Sequence, residues 1–194
     1  MIAGHFGFAM AVKARERSVP LWLMLLGCQW LDIVFVPLFV AGIERIEPLA
    51  GTQPGGYGSG VIYADYTHSL VGAVLLSLLF GAVSGARHGR RAGVVLALVA
   101  FSHWLLDLPL HRADMPLLPG NAGHLPRLGF GLWQFPVVSA ALELALVLGG
   151  SLLYWRAALG VAEVEPALVR RAHVCGALAL VTGLVTLGLN LAGM

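Results

Sequence analysis

Long apolar runs separated by short polar stretches are the dominant pattern along the chain. A helix that crosses a membrane needs about 20 mostly apolar residues, and five segments reach that length. They are residues 18–43, 67–86, 92–110, 130–155 and 172–194. The pattern predicts an all-α fold: a polytopic membrane helical bundle with about five transmembrane helices, in a single integral-membrane domain that covers residues 1–194.

The amino-terminal segment 1–12 is apolar but too short to cross a bilayer. We expect a short membrane-associated helix here that is partly inserted, re-entrant or packed against the bundle. Three prolines fall inside the predicted spans, at Pro37, Pro109 and Pro136. A proline lacks the backbone N–H that an interior helical position requires, so we expect a kink or a helix end at each.

Two longer connections, residues 44–66 and 111–129, are rich in glycine and proline, as in "GTQPGGYGSG" and "MPLLPGNAGHLP". Such composition is typical of loops. We expect irregular lids over one face of the bundle.

Composition supports a membrane protein. The chain is 58% hydrophobic and 11% charged, whereas soluble domains carry about 25% charged residues. The net charge of +2 comes without a basic patch interleaved with aromatic residues, which excludes nucleic acid as a partner. Cys28 and Cys175 stand alone in apolar runs and are interpreted as small buried hydrophobes.

The positions of lysine and arginine predict the orientation, because short cytoplasmic loops carry an excess of these residues. Nine of the 12 cationic residues fall on one side of the alternating spans. They are Lys13, Arg15, Arg17, Arg87, Arg90, Arg91, Arg156, Arg170 and Arg171. The split places the two lid loops on the outer side.

Ionisable side chains inside the spans are the candidate chemistry. Each costs about 2.5–3.5 kcal/mol at mid-depth on insertion scales, and such residues are usually functional. In "FSHWLLDLPLH", His103 and Asp107 are four residues apart, so both side chains lie on one face of a helix, about 6 Å apart along the axis. His111 continues the line, but Pro109 intervenes, and we expect it to turn His111 toward the outer surface.

Other segments supply similar residues at compatible depths. Asp32 lies late in the first span, and "YADYTHSL" places Asp65 and His68 at the outer start of the second. His5 reaches mid-depth from the amino-terminal segment. Imidazole and carboxylate are the usual ligands of zinc and also suit manganese or iron, so the cofactor that this set favours is a divalent metal, with zinc first.

Each residue also has a structural interpretation. Asp65 is a good N-cap for the second helix, and His103 with Asp107 can be an intrahelical pair without metal. Asp32 can hydrogen-bond a neighbouring helix. For Glu143, deep in the fourth span, a structural role is favoured over ligation.

The order "HFGFA", a late aspartate in the first span, "DYTHS", "SHWLLDLPLHRADMPLLP" and "GFGLWQFP" resembles the YdjM-like family of membrane-bound metal-dependent hydrolases. Some relatives in that bacterial family carry the label permease or uncharacterised membrane protein. The resemblance extends from about residue 4 to 150. It implies a metal site formed by His5, Asp32, His68, His103 and Asp107. With the charge asymmetry, it implies the bacterial inner (cytoplasmic) membrane, with the site facing the outer side.

A fainter similarity links "HWLLDLPLH" to zinc-dependent phospholipases C and their nuclease relatives, which are soluble helical enzymes with an HxxxD helix. This chain lacks their amino-terminal tryptophan ligand and one further histidine. The similarity favours hydrolysis of phosphoesters over peptides. The sequence contains no HExxH, GxSxG or P-loop motif.

The leading hypothesis is therefore a metal-dependent membrane hydrolase that acts on a phosphorylated lipid or another phosphoester. Asp65 or His111 would orient ligands or act as general acid or base. The alternatives are a non-enzymatic subunit or accessory protein of a larger membrane complex, a small permease-like protein, and a haem protein with His103 as ligand. The expected partners are the lipid bilayer, a lipid substrate, and either another membrane protein or a second copy of the chain.

Overall fold

The computed structural model describes residues 1–49, 59–162 and 166–192, and within them the chain is mostly helical. The helices are α1 (Ile2–Arg15), α2 (Leu21–Cys28), α3 (Trp30–Val40), α4 (Leu70–His88), α5 (Arg90–Asp107), α6 (Pro136–Ala162) and α7 (Pro166–Ala192). The strands are β1 (Arg45–Pro48) and β2 (Gly60–Tyr63). Two short 3₁₀ segments, Pro119–His124 and Leu132–Gln134, precede α6.

Among the residues that the structure describes, three helices are long and apolar enough to cross a membrane: α4, α6 and the Ala167–Ala192 part of α7. The helices α2 and α3 meet at an angle of 49° and add a fourth crossing if the bent pair is one span. Five crossings are not confirmed. The predicted third span corresponds to α5, which begins with Arg90 and Arg91 and ends at Asp107, so its 18 residues carry three charged side chains.

Large apolar side chains on the outer faces of these helices are exposed in the isolated chain, including Leu75 on α4 and Leu178 on α7. Extended apolar surface of this kind is typical of proteins that contact lipid or another protein. The composition and the exposed faces therefore agree with an integral membrane protein.

The amino-terminal helix α1 packs within the bundle, mainly against α6. Of the three arrangements expected for residues 1–12, the structure therefore shows a helix packed against the bundle. Glycines permit the approach: a Cβ on Gly150 of α6 would collide with the carbonyl oxygen of Gly7, and a Cβ on Gly7 would collide with the backbone of Leu146. Small residues let membrane helices approach closely, so this contact fixes the height of His5.

The break between α2 and α3 occurs at Gln29 rather than at Pro37, which lies inside α3. The Gln29 amide donates a hydrogen bond to the carbonyl oxygen of Ile2, at 3.0 Å, and so ties the break to α1. The break places Asp32 in the first turn of α3.

Pro109 and Pro136 lie at opposite ends of their helices. Pro109 lies two residues after Asp107, the last residue of α5, so the helix ends near the proline as expected. Pro136 is the first residue of α6, so the expectation that it interrupts a span beginning near residue 130 is wrong. Proline favours the first helical position because no intrahelical N–H bond is needed there.

The first lid loop is more regular than predicted, because β1 and β2 pair as antiparallel strands, with Arg45 opposite Tyr63. Of the stretch "GTQPGGYGSG", residues 51–58 lie outside the described residues. The second lid, 111–129, is irregular as predicted, apart from the 3₁₀ segment and a single bridge between Met115 and Leu128.

Cationic residues gather at one end of the bundle, as their alternation predicts. Arg91 at the start of α5 forms an ion pair with Glu16 after α1, at 2.8 Å. Hydrogen bonds from Ser18 and from Arg91 lower the pKa of Glu16. A cavity of about 340 Å³ at the same end is bordered by Lys13 and Arg171. The carboxyl end of α5 and the start of α4 lie at the opposite end.

Candidate metal centre

The centre is built around His103 and Asp107 on the last turns of α5, both fully or almost fully buried. His103 Nε2 lies 3.1 Å from Asp107 Oδ2. His103 Nδ1 lies 2.7 Å from the carbonyl oxygen of Cys28. A carbonyl oxygen only accepts, so Nδ1 carries the proton in this contact and the Nε2 lone pair faces the centre.

His68 enters from the turn that precedes α4, and two hydrogen bonds hold it. Its Nδ1 lies 2.9 Å from the hydroxyl oxygen of Thr67, and that hydroxyl donates to Glu44 Oε2 at 2.9 Å. Because the single hydroxyl proton is engaged by Glu44, the Thr67 oxygen accepts from His68 Nδ1. The carbonyl oxygen of His68 accepts from Trp104 Nε1 on α5. The Nε2 lone pair of His68 therefore also faces the centre.

Asp32 completes a compact group of four ligand atoms. Its Oδ1 lies 3.5 Å from His68 Nε2 and 3.5 Å from His103 Nε2. The two Nε2 atoms are 3.3 Å apart, and Asp107 Oδ2 lies 3.9 Å from His68 Nε2. Two ligand atoms about 2.0–2.1 Å from a tetrahedral ion are about 3.3–3.4 Å apart. The separations within Asp32, His68 and His103, at 3.3–3.5 Å, fit neighbouring ligands of one such ion.

The contact between the two Nε2 atoms requires a positive charge. With Nδ1 protonated on both His68 and His103, two lone pairs face each other across 3.3 Å. A metal ion between them satisfies both, as does an added proton on one ring. The buried cluster can therefore hold a metal ion.

His5 on α1 lies against the other side of His103. The two imidazole rings stack with centroids 3.8 Å apart and an interplanar angle of 16°. His5 Nε2 lies 3.2 Å from Asp107 Oδ1, and the backbone nitrogen of Met1 lies 3.5 Å from the same oxygen. Neither ring nitrogen of His5 is aligned for a hydrogen bond with any residue that the structure describes. A fully buried imidazole without such a bond is costly, and a metal ion would satisfy it.

His111 is buried and belongs to the same cluster, so the expectation that Pro109 turns it outward is wrong. The N–H of His111 donates to the carbonyl oxygen of Asp107, at 2.8 Å, which continues one helical turn past the proline. His111 Nε2 lies 3.7 Å from Asp107 Oδ2. Its Nδ1 donates to Asp114 Oδ1, at 2.9 Å, and Trp133 packs against the ring.

The sequence reasoning missed Glu44 and Asp114, both buried carboxylates. Glu44 accepts hydrogen bonds from the backbone N–H groups of Tyr66 and Thr67, each at 2.8 Å. Asp114 accepts from Ile62 N, at 3.1 Å. The three-residue spacing between His111 and Asp114 could have indicated a role for Asp114. No local sequence pattern indicates that Glu44 is buried near the cluster.

Asp65 lies outside this cluster. Its carboxylate accepts from Arg127 Nη1 at 2.6 Å and Nη2 at 3.1 Å, which joins the two lid loops. Asp65 is not the N-cap of α4 either, because Ser69 holds that position and accepts from Gly72 N. Glu143 of α6 is buried and accepts from Gly4 N at 3.1 Å, which agrees with the structural role expected for it.

The cluster has one accessible member. Side-chain exposure is 39% for Asp32, against 0–5% for the four histidines and Asp107. One and two turns further along the same face of α3, Val36 and Phe39 are also exposed. Asp32 is therefore the member of the cluster that a ligand could contact from outside, next to an apolar helix face.

No protein-family model, curated protein or solved structure matches the chain. The resemblance to the YdjM-like family stays a prediction based on the quoted motifs.

Proposed function

We propose that the protein is a metal-dependent hydrolase of the membrane, acting on a phosphorylated lipid. The observation that carries the proposal is the four-atom group of Asp32 Oδ1, His68 Nε2, His103 Nε2 and Asp107 Oδ2. Its two Nε2 atoms are 3.3 Å apart and each lies 3.1–3.9 Å from both carboxylate oxygens. Three segments of the chain supply it, and hydrogen bonds of Nδ1 orient both histidines toward its middle.

Zinc is the first choice for the ion, with manganese or iron as the alternatives. Two imidazoles and two carboxylates match the nitrogen and oxygen donors that zinc takes in catalytic sites. Orienting hydrogen bonds to the distal ring nitrogens are the usual outer support of ligating histidines, and His68 and His103 both have them. In this cluster a divalent ion with an open position would supply a Lewis acid and a nucleophilic water near neutral pH.

The chain's own residues then have separate tasks. His68, His103, Asp32 and Asp107 hold the ion. His111 lies beside Asp107, outside the four-atom group, and is oriented by Asp114, so we assign it to the reacting groups of the substrate as a proton donor or acceptor. In the reaction the oxygen of water bonds to phosphorus, the bond from phosphorus to the alkoxy oxygen breaks, and a proton reaches the departing alcohol.

Two features support a phosphorylated lipid as substrate. Asp32 is the accessible ligand, and the face of α3 that leads to it is apolar, so an amphiphile can place its headgroup at the cluster while its chains follow Val36 and Phe39. The similarity of "HWLLDLPLH" to zinc-dependent phospholipases C favours the phosphoester bond. The clustering of cations at the opposite end of the bundle supports a bacterial inner membrane location with the cluster on the outer side.

Metal analysis tests the proposal directly. The full chain would be purified in detergent without chelator, and bound metals measured by mass spectrometry for the wild type, His103→Ala and Asp107→Ala. We expect bound divalent metal in the wild type and its loss from both variants, with His88→Ala, an exposed histidine at the cationic end, as the matched control. A metal-free wild type that takes up no added Zn²⁺ or Mn²⁺ would overturn the proposal and leave a protonated imidazole as the charge in the cluster.

The hydrolysis is tested with the metal-loaded protein. Release of phosphate or of a phosphorylated headgroup from phospholipid micelles would be followed for wild type and His103→Ala. We expect release by the wild type alone. If preparations that retain full metal release neither phosphate nor headgroup from any phospholipid class, the proposed hydrolase activity would be contradicted. A role as an accessory subunit would then be favoured.

A further inference from the structure

The stacked rings of His5 and His103 cannot both bind the same ion. An imidazole nitrogen directs its lone pair in the plane of the ring, about 2.0–2.1 Å from a bound zinc. The two rings are 3.8 Å apart and inclined by 16°, so their planes meet on the order of 10 Å away, far beyond a bond of about 2.0–2.1 Å. An ion in the plane of one ring is out of the plane of the other.

Both rings nevertheless direct Nε2 toward the carboxylate of Asp107. His5 Nε2 lies 3.2 Å from Oδ1, and His103 Nε2 lies 3.1 Å from Oδ2. Each oxygen of one carboxylate is therefore next to a different histidine. This is the arrangement of a carboxylate that bridges two ions, one on each oxygen.

We propose that the cluster binds two divalent cations bridged by Asp107. Stacked rings direct parallel lone pairs to two points separated by about the stacking distance, and 3.8 Å falls within the range of about 3.5–4 Å that two-metal hydrolases use. The inference rests on the proposed metal site and extends it.

The two positions differ in their ligands. The first is the four-atom group that includes Asp32 and His68. The second has His5 Nε2 and Asp107 Oδ1, whose atoms lie with His103 within 4.8 Å of one another, and its other positions are left to water and substrate. Two ions can clamp the attacking and leaving oxygens of a phosphoryl group, so this arrangement suits the phosphoester substrate proposed above.

Metal stoichiometry distinguishes one ion from two. The full chain in detergent would be stripped, equilibrated with Mn²⁺ alone or Zn²⁺ alone, freed of unbound metal, and measured by mass spectrometry against protein concentration. We expect two ions per chain in the wild type and in His88→Ala. We expect one in His5→Ala, because the first position keeps its four ligands, and none in Asp107→Ala.

A spectroscopic measurement needs no variant. Two Mn²⁺ ions that share a carboxylate are exchange-coupled, so the electron paramagnetic resonance spectrum of the fully loaded wild type is expected to differ from the six-line signal of isolated Mn²⁺. Titration should show the isolated signal, if at all, only below two equivalents of Mn²⁺ per chain.

The outcomes separate the two proposals. One ion per chain in the wild type, with an isolated Mn²⁺ signal and no change in His5→Ala, overturns the second position and leaves the metal-dependent hydrolase standing. No bound ion overturns both. If the wild type binds two ions and His5→Ala also binds two, the second position is overturned as well. The second ion then binds at a place that does not include His5.

Discussion

Asp114 accepts a hydrogen bond from His111 Nδ1, at 2.9 Å, and this contact aims the other ring nitrogen of His111 at Asp107. The second oxygen of Asp114 accepts from Ile62 N on β2. Asp114 thus connects the buried cluster to the strand pair β1 and β2 of the first lid loop. Only a group that accepts at both oxygens can make the two contacts together.

The exchange Asp114→Asn replaces one of those acceptors with a donor, so either the Ile62 N–H or His111 Nδ1 loses its partner. We expect phosphoester turnover to fall about 10–100-fold, the usual effect of removing an outer partner of a site histidine, while metal content stays unchanged because His111 lies outside the four-atom group. Turnover and metal content would be measured on the same preparation. Unchanged turnover would show that the orientation of His111 has no part in the reaction.

Glu44→Gln tests the support of His68. Gln offers one acceptor where Glu44 uses two oxygens to accept from Tyr66 N, Thr67 N and the Thr67 hydroxyl. We expect metal affinity to fall about 10-fold or more, measured by competition with a chromophoric chelator. The control is Glu47→Gln, which alters a carboxylate in an exposed ion pair with Arg45, and such exposed pairs contribute little to stability. Equal affinities in the two variants would contradict the role of Glu44.

Gly150→Ala is expected to displace α1, because the new Cβ would collide with the carbonyl oxygen of Gly7. Overpacking of this kind costs about 1–3 kcal/mol and would also shift His5. Gly149→Ala is the control, since a Cβ there meets no atom within 4 Å. Thermal unfolding in detergent should show a lower midpoint for the first variant and an unchanged or higher one for the second. A normal midpoint in Gly150→Ala would mean that α1 has more freedom than its packing indicates.

Removal of metal should destabilise the fold around the cluster. A ligand that binds only the folded state at about 1,000 times its dissociation constant contributes about 4 kcal/mol, so we expect a chelator to lower the unfolding midpoint of the wild type and added Zn²⁺ to restore it. His103→Ala should show no response to either treatment. A chelator effect of the same size in His103→Ala would place the stabilising ion elsewhere.

Phe39→Ala tests the path along α3. If lipid chains follow this face to Asp32, loss of the exposed ring should raise KM about 10-fold for long-chain phospholipids and leave a short-chain soluble phosphoester unaffected. Leu75→Ala, which shortens another exposed apolar side chain on α4, serves as the comparison. Equal effects of the two variants on both substrates would argue against a specific path.

Part of the site followed from spacing alone. The four-residue interval between His103 and Asp107 predicts a shared helix face, and counting from the cationic ends predicts that Asp32 lies at the same depth. Both agree with the structure, in which Asp32 Oδ1 lies 3.5 Å from His103 Nε2. The contacts of His5 could not be predicted in the same way, because they require α1 to pack inside the bundle. That packing depends on the close approach of the two helices at Gly7 and Gly150.

The remaining features depend on tertiary contacts that no local pattern encodes. Pro109 suggested a change of direction, yet the N–H of His111 still finds the Asp107 carbonyl, so the turn continues. Glu44 stands in a loop next to a basic residue and is typical of a solvent-exposed acid, but the chain folds back and buries it under Thr67. The break at Gln29 likewise depends on an acceptor in α1, 27 positions earlier.

The packing of α1 against α6 also sets an order of events during synthesis. His5 precedes the other residues of the cluster in the chain, but the helix that holds it in place begins at Pro136, after all of them have been made. The ligands on α3, on α5 and before α4 can therefore meet before α6 exists, whereas His5 reaches its place only when α6 joins the bundle.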